Sequence, residues 1–291
     1  MVVSLESIKK LRELTGVGMS RCKAVLEECG GNIESSIAKL RVMGEASAKK
    51  RETREANEGA IFCIEEENAL SIVEVNAETD FVVKNAAFQR FSQEIAQAVL
   101  KSRERDVAAL LAQPTLQDSS LSFDQYRCTI MQSLGENIQV RRVALVEKKE
   151  GNSLAFYRHM EGRAFSYVEL EGSSKAMDLA KEIAIHIIAS LPEYLSREKV
   201  PREILSRERE IAENIVKEQY AGKPEAMIEK ILEGRVASFC KENCLVLQPF
   251  VKNPNLSIQE LIANFAKEHA LSLFLSKYGF WKVGGFSLPR K

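Results

Sequence analysis

The segment Asn76–Asn85 places a carboxylate beside an aromatic side chain in a short connection: Asn-Ala-Glu-Thr-Asp-Phe-Val-Val-Lys-Asn. Two interpretations fit these residue types. In the first, Thr79 caps a helix, Asp80 lies at the positive end of that helix, and Phe81 packs inward. In the second, Phe81 projects as a wedge for another molecule, with Asp80 beside it. The residues alone leave both interpretations open.

Other candidates for chemistry are sparse. The sequence contains no GxxxxGK[ST] run, which would wrap phosphates in backbone amides. Its three histidines, His159, His186 and His269, are far apart and form no HExxH zinc motif. Cys240 and Cys244 lie one helical turn apart, but two thiols leave a zinc site short of ligands. We therefore expect no catalytic residue, no metal and no cofactor, and we predict that the protein is not an enzyme.

Composition and charge narrow the class of protein. The 291 residues are 45% hydrophobic and 28% charged, which is typical of a globular chain of about two domains. The 41 basic residues balance the 41 acidic ones, whereas a dedicated nucleic-acid binder usually has a basic excess. The sequence begins without a signal peptide and has no membrane-spanning apolar run. With six scattered cysteines, these features predict a cytoplasmic protein with free thiols and no membrane partner.

The elements that must position these residues begin with three short helices in residues 1–44. Apolar residues recur at helical spacing, and glycine or a small polar residue is expected at each boundary. Residues 45–58 contain no large apolar side chain, so we predict an exposed helix or tether and a domain boundary there. The expected caps and stops are Gly16, Ser20, Gly30, Gly31, Asn32 and Gly44.

Two successive hairpin-plus-helix units follow, which predicts an α+β core of two pseudo-repeated halves, residues 59–150 and 151–291. Residues 202–243 predict an inserted antiparallel helical hairpin, broken at Gly222-Lys223-Pro224. The predicted strands are Ala60–Ile64, Leu70–Val75, Ile138–Glu147, Leu154–Tyr157, Ala164–Leu170 and Leu271–Leu275. Two predicted core helices carry apolar residues from Phe88 to Val99 and from Phe123 to Leu134. Two further helices are predicted at Ser174–Ser190 and Ser257–Lys267.

Five segments carry a family resemblance. They are TGVGMSRCKAVLEECGGNIESSIAKLR at 15–41, EVNAETDFV at 74–82, GENIQVRRV at 135–143, IHIIAS at 185–190 and GKPEAMIEKILEGR at 222–235. Through these segments, in this order, the chain resembles the elongation factor Ts family. The resemblance implies that the three N-terminal helices form a ubiquitin-associated-like module.

The resemblance also implies a function. Family members are guanine-nucleotide exchange factors, which bind the GDP form of the GTPase elongation factor Tu during translation elongation. Thr79, Asp80, Phe81 and Val82 match the family's Thr-Asp-Phe-Val segment. Its aromatic residue wedges between helices of the partner and disturbs the nearby Mg²⁺ site, which promotes GDP release.

Further partner contacts follow from the same resemblance. The N-terminal module would dock on the nucleotide-binding domain of the GTPase, and a helix end and one histidine would add contacts from the core. On helical spacing, the histidine lies beside the main apolar stripe. Many bacterial members end in an extra helix, whereas residues 280–291 are too short and glycine-rich for one. The implied contact residues are Val17, Gly18, Met19, Leu134, Gly135 and His186.

Two other classes of protein remain as alternatives. A nucleic-acid module could use Lys49-Lys50-Arg51 and Arg54, but glutamates dilute this basic patch and no aromatic residues are interleaved for base stacking. A scaffold could capture ubiquitin-like partners through the N-terminal module and oligomerise through the hairpin at 202–243. The sequence leaves open whether the chain forms a homodimer. A pull-down would distinguish the classes, because a GTPase, nucleic acid or ubiquitin-like chains would dominate the eluate.

Overall fold

The computed structural model describes residues 3–219 and 224–289. The chain divides into two compact units, Met1–Lys148 with Val283–Gly285, and Lys149–Lys282 with Phe286–Lys291. The mixture of helices and sheets confirms the predicted α+β class. The helices are α1 (Leu5–Thr15), α2 (Met19–Glu28), α3 (Ile33–Arg51), α4 (Asp80–Val83), α5 (Ala86–Ser102), α6 (Val107–Ala112), α7 (Phe123–Leu134), α8 (Met177–Ser190), α9 (Arg202–Gln219), α10 (Glu225–Asn243) and α11 (Ile258–Glu268). The strands are β1 (Glu58–Glu65), β2 (Ala69–Ala77), β3 (Ile138–Glu147), β4 (Ser153–His159), β5 (Ala164–Glu171), β6 (Pro249–Phe250), β7 (Asn253–Ser257), β8 (Phe274–Lys282) and β9 (Phe286–Leu288).

An antiparallel sheet in the order β1-β2-β3 forms the centre of the first unit. The middle strand, β2, is buried along its whole length, because β1 and β3 pair with its edges and α5 packs against it. Strand β3 begins and ends where the sequence predicted. The predicted apolar face of α5, Phe88, Phe91, Ile95 and Val99, enters the core, and so do Ala96, Ala98 and Leu100.

The three predicted N-terminal helices are present. The Asn32 side chain caps α3 by accepting the Ser35 N–H at 2.8 Å, and Gly16 ends α1 with a φ of 68°. The predicted cap of α2 is wrong: Ser20 lies inside the helix, because the Gly18 carbonyl already accepts the first backbone bonds. The three helices enclose a small core of Ile8, Leu11, Val17, Cys22, Val25, Leu26 and Leu40.

Helix α3 does not end at Gly44 as predicted. It continues to Arg51, so the first half of the segment 45–58 is helical and packs against α7. Gly44 and Ala48 are buried, and a Cβ on Gly44 would lie 3.0 Å from Oε1 of Gln132. Because small side chains allow two helices to approach closely, this face packs without a large apolar residue.

The residue after α3 also contacts α7. Glu52 forms an ion pair with the guanidinium of Arg127, which is buried and also binds Asp124 and the carbonyl oxygen of Ile138. A buried cation requires such partners to compensate for lost hydration. The three helices and the first sheet belong to one compact unit.

An antiparallel sheet in the order β4-β5-β8-β9 forms the centre of the second unit, and α8 packs against it. Strand β8 begins at Phe274, whereas the sequence predicted a strand at Leu271–Leu275. A Cβ on Gly279 would lie 2.2 Å from Cε1 of Tyr167 on β5, so the glycine makes room for that ring. Gly279 and the charged Lys277 within β8 obscured the strand pattern.

The predicted helical hairpin is present in the second unit as α9 and α10, which pack against each other. Pro224 lies at the start of α10, where a fixed φ favours a helix. Gly222 and Lys223 of the predicted break lie outside the described residues. The contact between the two helices buries Ala212, Val216 and Leu232.

The three-stranded and four-stranded sheets each carry a fully buried glutamate on their second strand. In β2, Oε2 of Glu74 lies 2.7 Å from Nε of Arg142 on β3. In β5, Oε2 of Glu169 lies 3.0 Å from Nζ of Lys277 on β8. In both sheets the register with the third strand shifts directly after the glutamate. This recurrence agrees with the predicted pseudo-repeat of the two halves.

Candidate functional site

The connection after β2 forms the one-turn helix α4. Thr79 has an extended backbone and caps α4, accepting the Val82 N–H on its hydroxyl oxygen at 3.4 Å. Val82 is buried in the first core, whereas 81% of Phe81 is exposed, the highest value among the large hydrophobic residues that the structure describes. Phe81 therefore projects from the turn, and the interpretation in which it packs inward is wrong.

Asp80 is the first residue of α4 and lies beside Phe81. Its carboxylate is 3.8 Å from Nζ of Lys84, one helical turn further on. Both side chains are largely exposed, so solvent screens this ion pair. Asp80 and Phe81 together present a charged and an aromatic group on the same exposed turn.

Glu136 holds the turn from the start of β3. Its Oε1 accepts the hydroxyl of Thr79 at 2.7 Å, and its Oε2 accepts the Thr79 N–H at 3.0 Å. In return, Oε1 of Glu78 accepts the Asn137 N–H at 2.7 Å. Two pairs of adjacent residues thus exchange carboxylate-to-backbone bonds, and we call this arrangement the carboxylate clamp.

The carboxylate clamp has no signature in the local sequence. Glu136 lies 57 positions after Thr79 and Asn137 lies 59 after Glu78, so no local pattern relates them. The segment GENIQVRRV, one of the five that carry the family resemblance, contains Glu136 and Asn137. The side-chain amide of Asn137 also donates to the carbonyl oxygen of Arg54, at 2.8 Å.

Leu134 and Gly135 form the end of α7, next to the carboxylate clamp. Leu134 packs against the first core, while Gly135 is exposed and ends the helix with a φ of 81°. One residue earlier, the Ser133 hydroxyl donates to the carbonyl oxygen of Gly16 at 2.7 Å. The end of α7 therefore connects the loop after α1 to the clamp.

Val17, Gly18 and Met19 continue directly from that loop. Val17 is buried in the small helical core, Gly18 is exposed and Met19 is half-buried. With Gln132 of α7, these residues line a surface depression of 290 Å³. Within the first unit, the hydrogen bonds from Ser133 to Gly16 and from Thr79 to Glu136 thus bring three of the predicted contact groups together.

His186 belongs to the second unit, and its side chain is fully buried. Its Nδ1 accepts the Val251 N–H at 3.3 Å, so its proton lies on Nε2, which donates to Oε1 of Gln248 at 3.0 Å. Burial lowers the pKa of His186, and the bond to Gln248 opposes this shift. The imidazole does not reach the surface of the second unit, so its contact with a partner stays a prediction.

Two of the thiols, Cys240 and Cys244, lie one helical turn apart and are both buried. Burial, with Cys240 beside it, raises the pKa of the Cys244 thiol to about 12. Across residues 3–219 and 224–289, no group of three or more His, Cys, Asp and Glu side chains could hold a metal ion.

Among the described residues, every helix is either too short or too polar to cross a bilayer.

Comparison with known proteins identifies the family. The family model described as Elongation factor TS matches residues 78–284. Elongation factor Ts of Protochlamydia amoebophila is 46% identical to the chain, over 95% of the chain and 97% of that protein. Elongation factor Ts of Chlamydia pneumoniae is 43% identical, and that of Chlamydia felis is 41% identical, each over 97% of the chain and 98% of the relative. The chain therefore belongs to the elongation factor Ts family, whose members act as translation elongation factors.

Proposed function

We propose that this protein is a guanine-nucleotide exchange factor that binds elongation factor Tu with GDP and promotes GDP release. The observation that carries the proposal is the exposure of Phe81, at 81%, on a helical turn fixed by its neighbours. The free energy falls when a partner covers an exposed phenyl ring, because apolar surface is removed from water. Phe81, with Asp80 beside it, is therefore the wedge, while Thr79 and Val82 hold it in place.

The target of the wedge is the Mg²⁺ site of the GTPase. Mg²⁺ requires near-ideal octahedral geometry at short distances, so a small displacement of its ligands weakens its binding. Burial of one phenylalanine side chain supplies about 2–3 kcal/mol toward that displacement. The rest must come from the surrounding interface.

Two neighbouring groups in the first unit extend this interface. Val17, Gly18 and Met19 dock on the nucleotide-binding domain of the GTPase, and Leu134 and Gly135 add a contact from the end of α7. The hydrogen bond from Ser133 to Gly16 supports this assignment, because it joins the two groups.

A second contact comes from the second unit. Val251 is exposed and its N–H is bound to the buried His186, so we assign His186 an indirect role through this neighbour.

Exchange of this kind requires no catalytic residue and no cofactor. If the protein weakens GDP binding to the GTPase, then GDP weakens binding of the protein by the same factor. Release and rebinding therefore form a cycle in which no bond of the nucleotide is broken.

Release of a fluorescent GDP analogue from elongation factor Tu tests the proposal. Substoichiometric amounts of the protein should accelerate release many times over, because each molecule acts repeatedly. The protein alone should produce no phosphate from GTP. An unchanged release rate at micromolar protein would exclude the proposed function.

A further inference from the structure

We propose that Glu136 is a positioning residue for exchange, whose carboxylate fixes α4 so that Phe81 points outward before the partner binds. The inference rests on the proposed function, in which Phe81 is the wedge. It concerns a residue outside the Thr-Asp-Phe-Val segment and assigns it a role that operates through Thr79.

Helix α4 cannot hold its own conformation. It has four residues, and helices far longer than one turn are still marginal in water. Its backbone bonds join the Val83 N–H to the Thr79 carbonyl and the Lys84 N–H to the Asp80 carbonyl, at 3.3 and 3.1 Å. Contacts with the rest of the unit must therefore fix its position.

Two such contacts hold the residues on either side of Asp80 and Phe81 along the chain. Val82 anchors the inner face of α4 in the first core. On the other side, the carboxylate of Glu136 accepts both hydrogen-bond donors of Thr79, the N–H and the hydroxyl. Because the hydroxyl proton points to Glu136, the oxygen lone pairs are left to accept the Val82 N–H. Glu136 thus positions the cap and also orients it.

The carboxylate clamp contributes little to the hydrophobic core. Glu78, Thr79 and Glu136 are only partly buried, and the pairing of β2 with β3 and the packing of α5 do not involve their side chains. Loss of the Glu136 carboxylate should therefore loosen α4 and leave the sheet intact. A loosened turn must be reordered when the partner binds, which weakens binding although the ring is still present.

The test compares GDP release from elongation factor Tu for the full-length wild type and variants over a range of concentrations. Bonds to a carboxylate are strong, so Glu136→Ala should raise the concentration for half-maximal stimulation about ten-fold and leave the maximal rate nearly unchanged. Thr79→Val should act in the same direction, because it removes the hydroxyl, whereas Thr79→Ser should retain wild-type behaviour.

The second unit offers a matched control. Oε2 of Glu260 accepts both the N–H and the hydroxyl of Ser257, the cap of α11, at 2.7 and 2.8 Å. Glu260→Ala removes the same chemistry from another helix and should leave exchange unchanged. An effect of Glu260→Ala equal to that of Glu136→Ala would overturn the inference, since any lost cap would then suffice.

A double-mutant cycle shows whether Glu136 acts through Phe81. If it does, Glu136→Ala should have little further effect in a Phe81→Ala background. A wild-type response to Glu136→Ala, or an equal effect in both backgrounds, would overturn the inference while the proposed function stands.

Hydrogen exchange of the free protein distinguishes a failure of this inference from a failure of the proposed function. In Glu136→Ala, the amides of residues 79–85 should exchange faster, and those of β1 and β2 should not change. If the wild type fails to stimulate GDP release, the proposed function fails, and the carboxylate clamp is then judged on these amides alone. An unchanged rate of amide hydrogen exchange at residues 79–85 in Glu136→Ala would overturn the inference.

Discussion

The three-stranded and four-stranded sheets share one plan, but different connections follow β2 and β5. In each of these two sheets, the second strand carries a buried glutamate paired with a basic residue of the third strand. After β2, the chain forms α4 and exposes Phe81. After β5, it passes through Gly172 and enters α8 without an additional helical turn.

The connections also differ in how they meet the start of the third strand. In the first unit, the carboxylates of Glu78 and Glu136 bridge the gap. In the second unit, a Cβ on Gly172 would lie 1.8 Å from the carbonyl oxygen of Ser272, so the two backbones touch. Direct contact leaves no space for a projecting turn, whereas bridging side chains hold one at a distance. One sheet plan can therefore carry a projecting aromatic residue or a closed connection.

The largest effect on stability should come from the buried glutamate that occurs in each of these two sheets. Glu74→Gln should lower the free energy of unfolding by about 3–5 kcal/mol, because it removes the negative charge 2.7 Å from Nε of the largely buried Arg142. Glu169→Gln should cost about 1–3 kcal/mol, since Lys277 is 44% exposed and remains hydrated. Chemical denaturation followed by circular dichroism measures both.

Glu147→Gln is the control for this pair of variants. Glu147 lies on β3 but is exposed, and its ion pair with Arg105 is screened by solvent. Its replacement should therefore leave the unfolding curve unchanged. Equal losses for Glu74→Gln and Glu169→Gln would mean that the burial of the partner cation does not distinguish the two sheets.

The next effect concerns the connections themselves. Phe81→Ala should slow stimulated GDP release about 30- to 100-fold, which corresponds to about 2–3 kcal/mol for the lost ring. The melting temperature should hardly change, because truncation of an exposed side chain creates no cavity. Phe274→Ala is the matched control: 55% of Phe274 is exposed, and it lies on β8 of the second unit. Slower release with Phe274→Ala, or a melting temperature about ten degrees lower with Phe81→Ala, would contradict this assignment.

Periodicity and punctuation predicted most elements of the fold. The bounds of β3, the end of α7 at Gly135 and the cap of α3 at Asn32 were all predicted correctly, because each depends on neighbouring residues. The extension of α3 was missed, since its packing face consists of small residues such as Gly44 and Ala48. A face of that kind is recognisable only when the opposing helix is known.

The candidate site was less predictable. The sequence indicated Thr79 as a cap but could not decide where Phe81 points. That decision depends on Glu136, which is far away in the chain. Helical spacing placed His186 at the edge of an apolar stripe, but Gln248, 62 positions later, covers the ring. In both cases a polar contact between residues far apart in the chain determines the environment of the side chain, and the local sequence pattern does not predict that contact.

The smallest effect should come from the titration of His186. Because burial lowers its pKa in the folded protein, the unfolded chain binds the proton more readily. The contribution of His186 to the free energy of unfolding is therefore fully present above the pKa of histidine in the unfolded chain, about 6.5, and is lost as the pH falls below that value. Between pH 7 and 5, the free energy of unfolding should decrease by at most about 1.4 kcal/mol per pH unit from this group.

His186→Gln isolates this contribution, because glutamine has a donor and an acceptor but does not titrate in this range. The variant should show a shallower decrease in stability between pH 7 and 5 than the wild type. At pH 7, His186→Gln should impair GDP release far less than Phe81→Ala, since the ring of His186 lies inside the second unit and acts only through Val251. A loss of exchange equal to that of Phe81→Ala, with an unchanged pH slope, would show that His186 meets the partner directly.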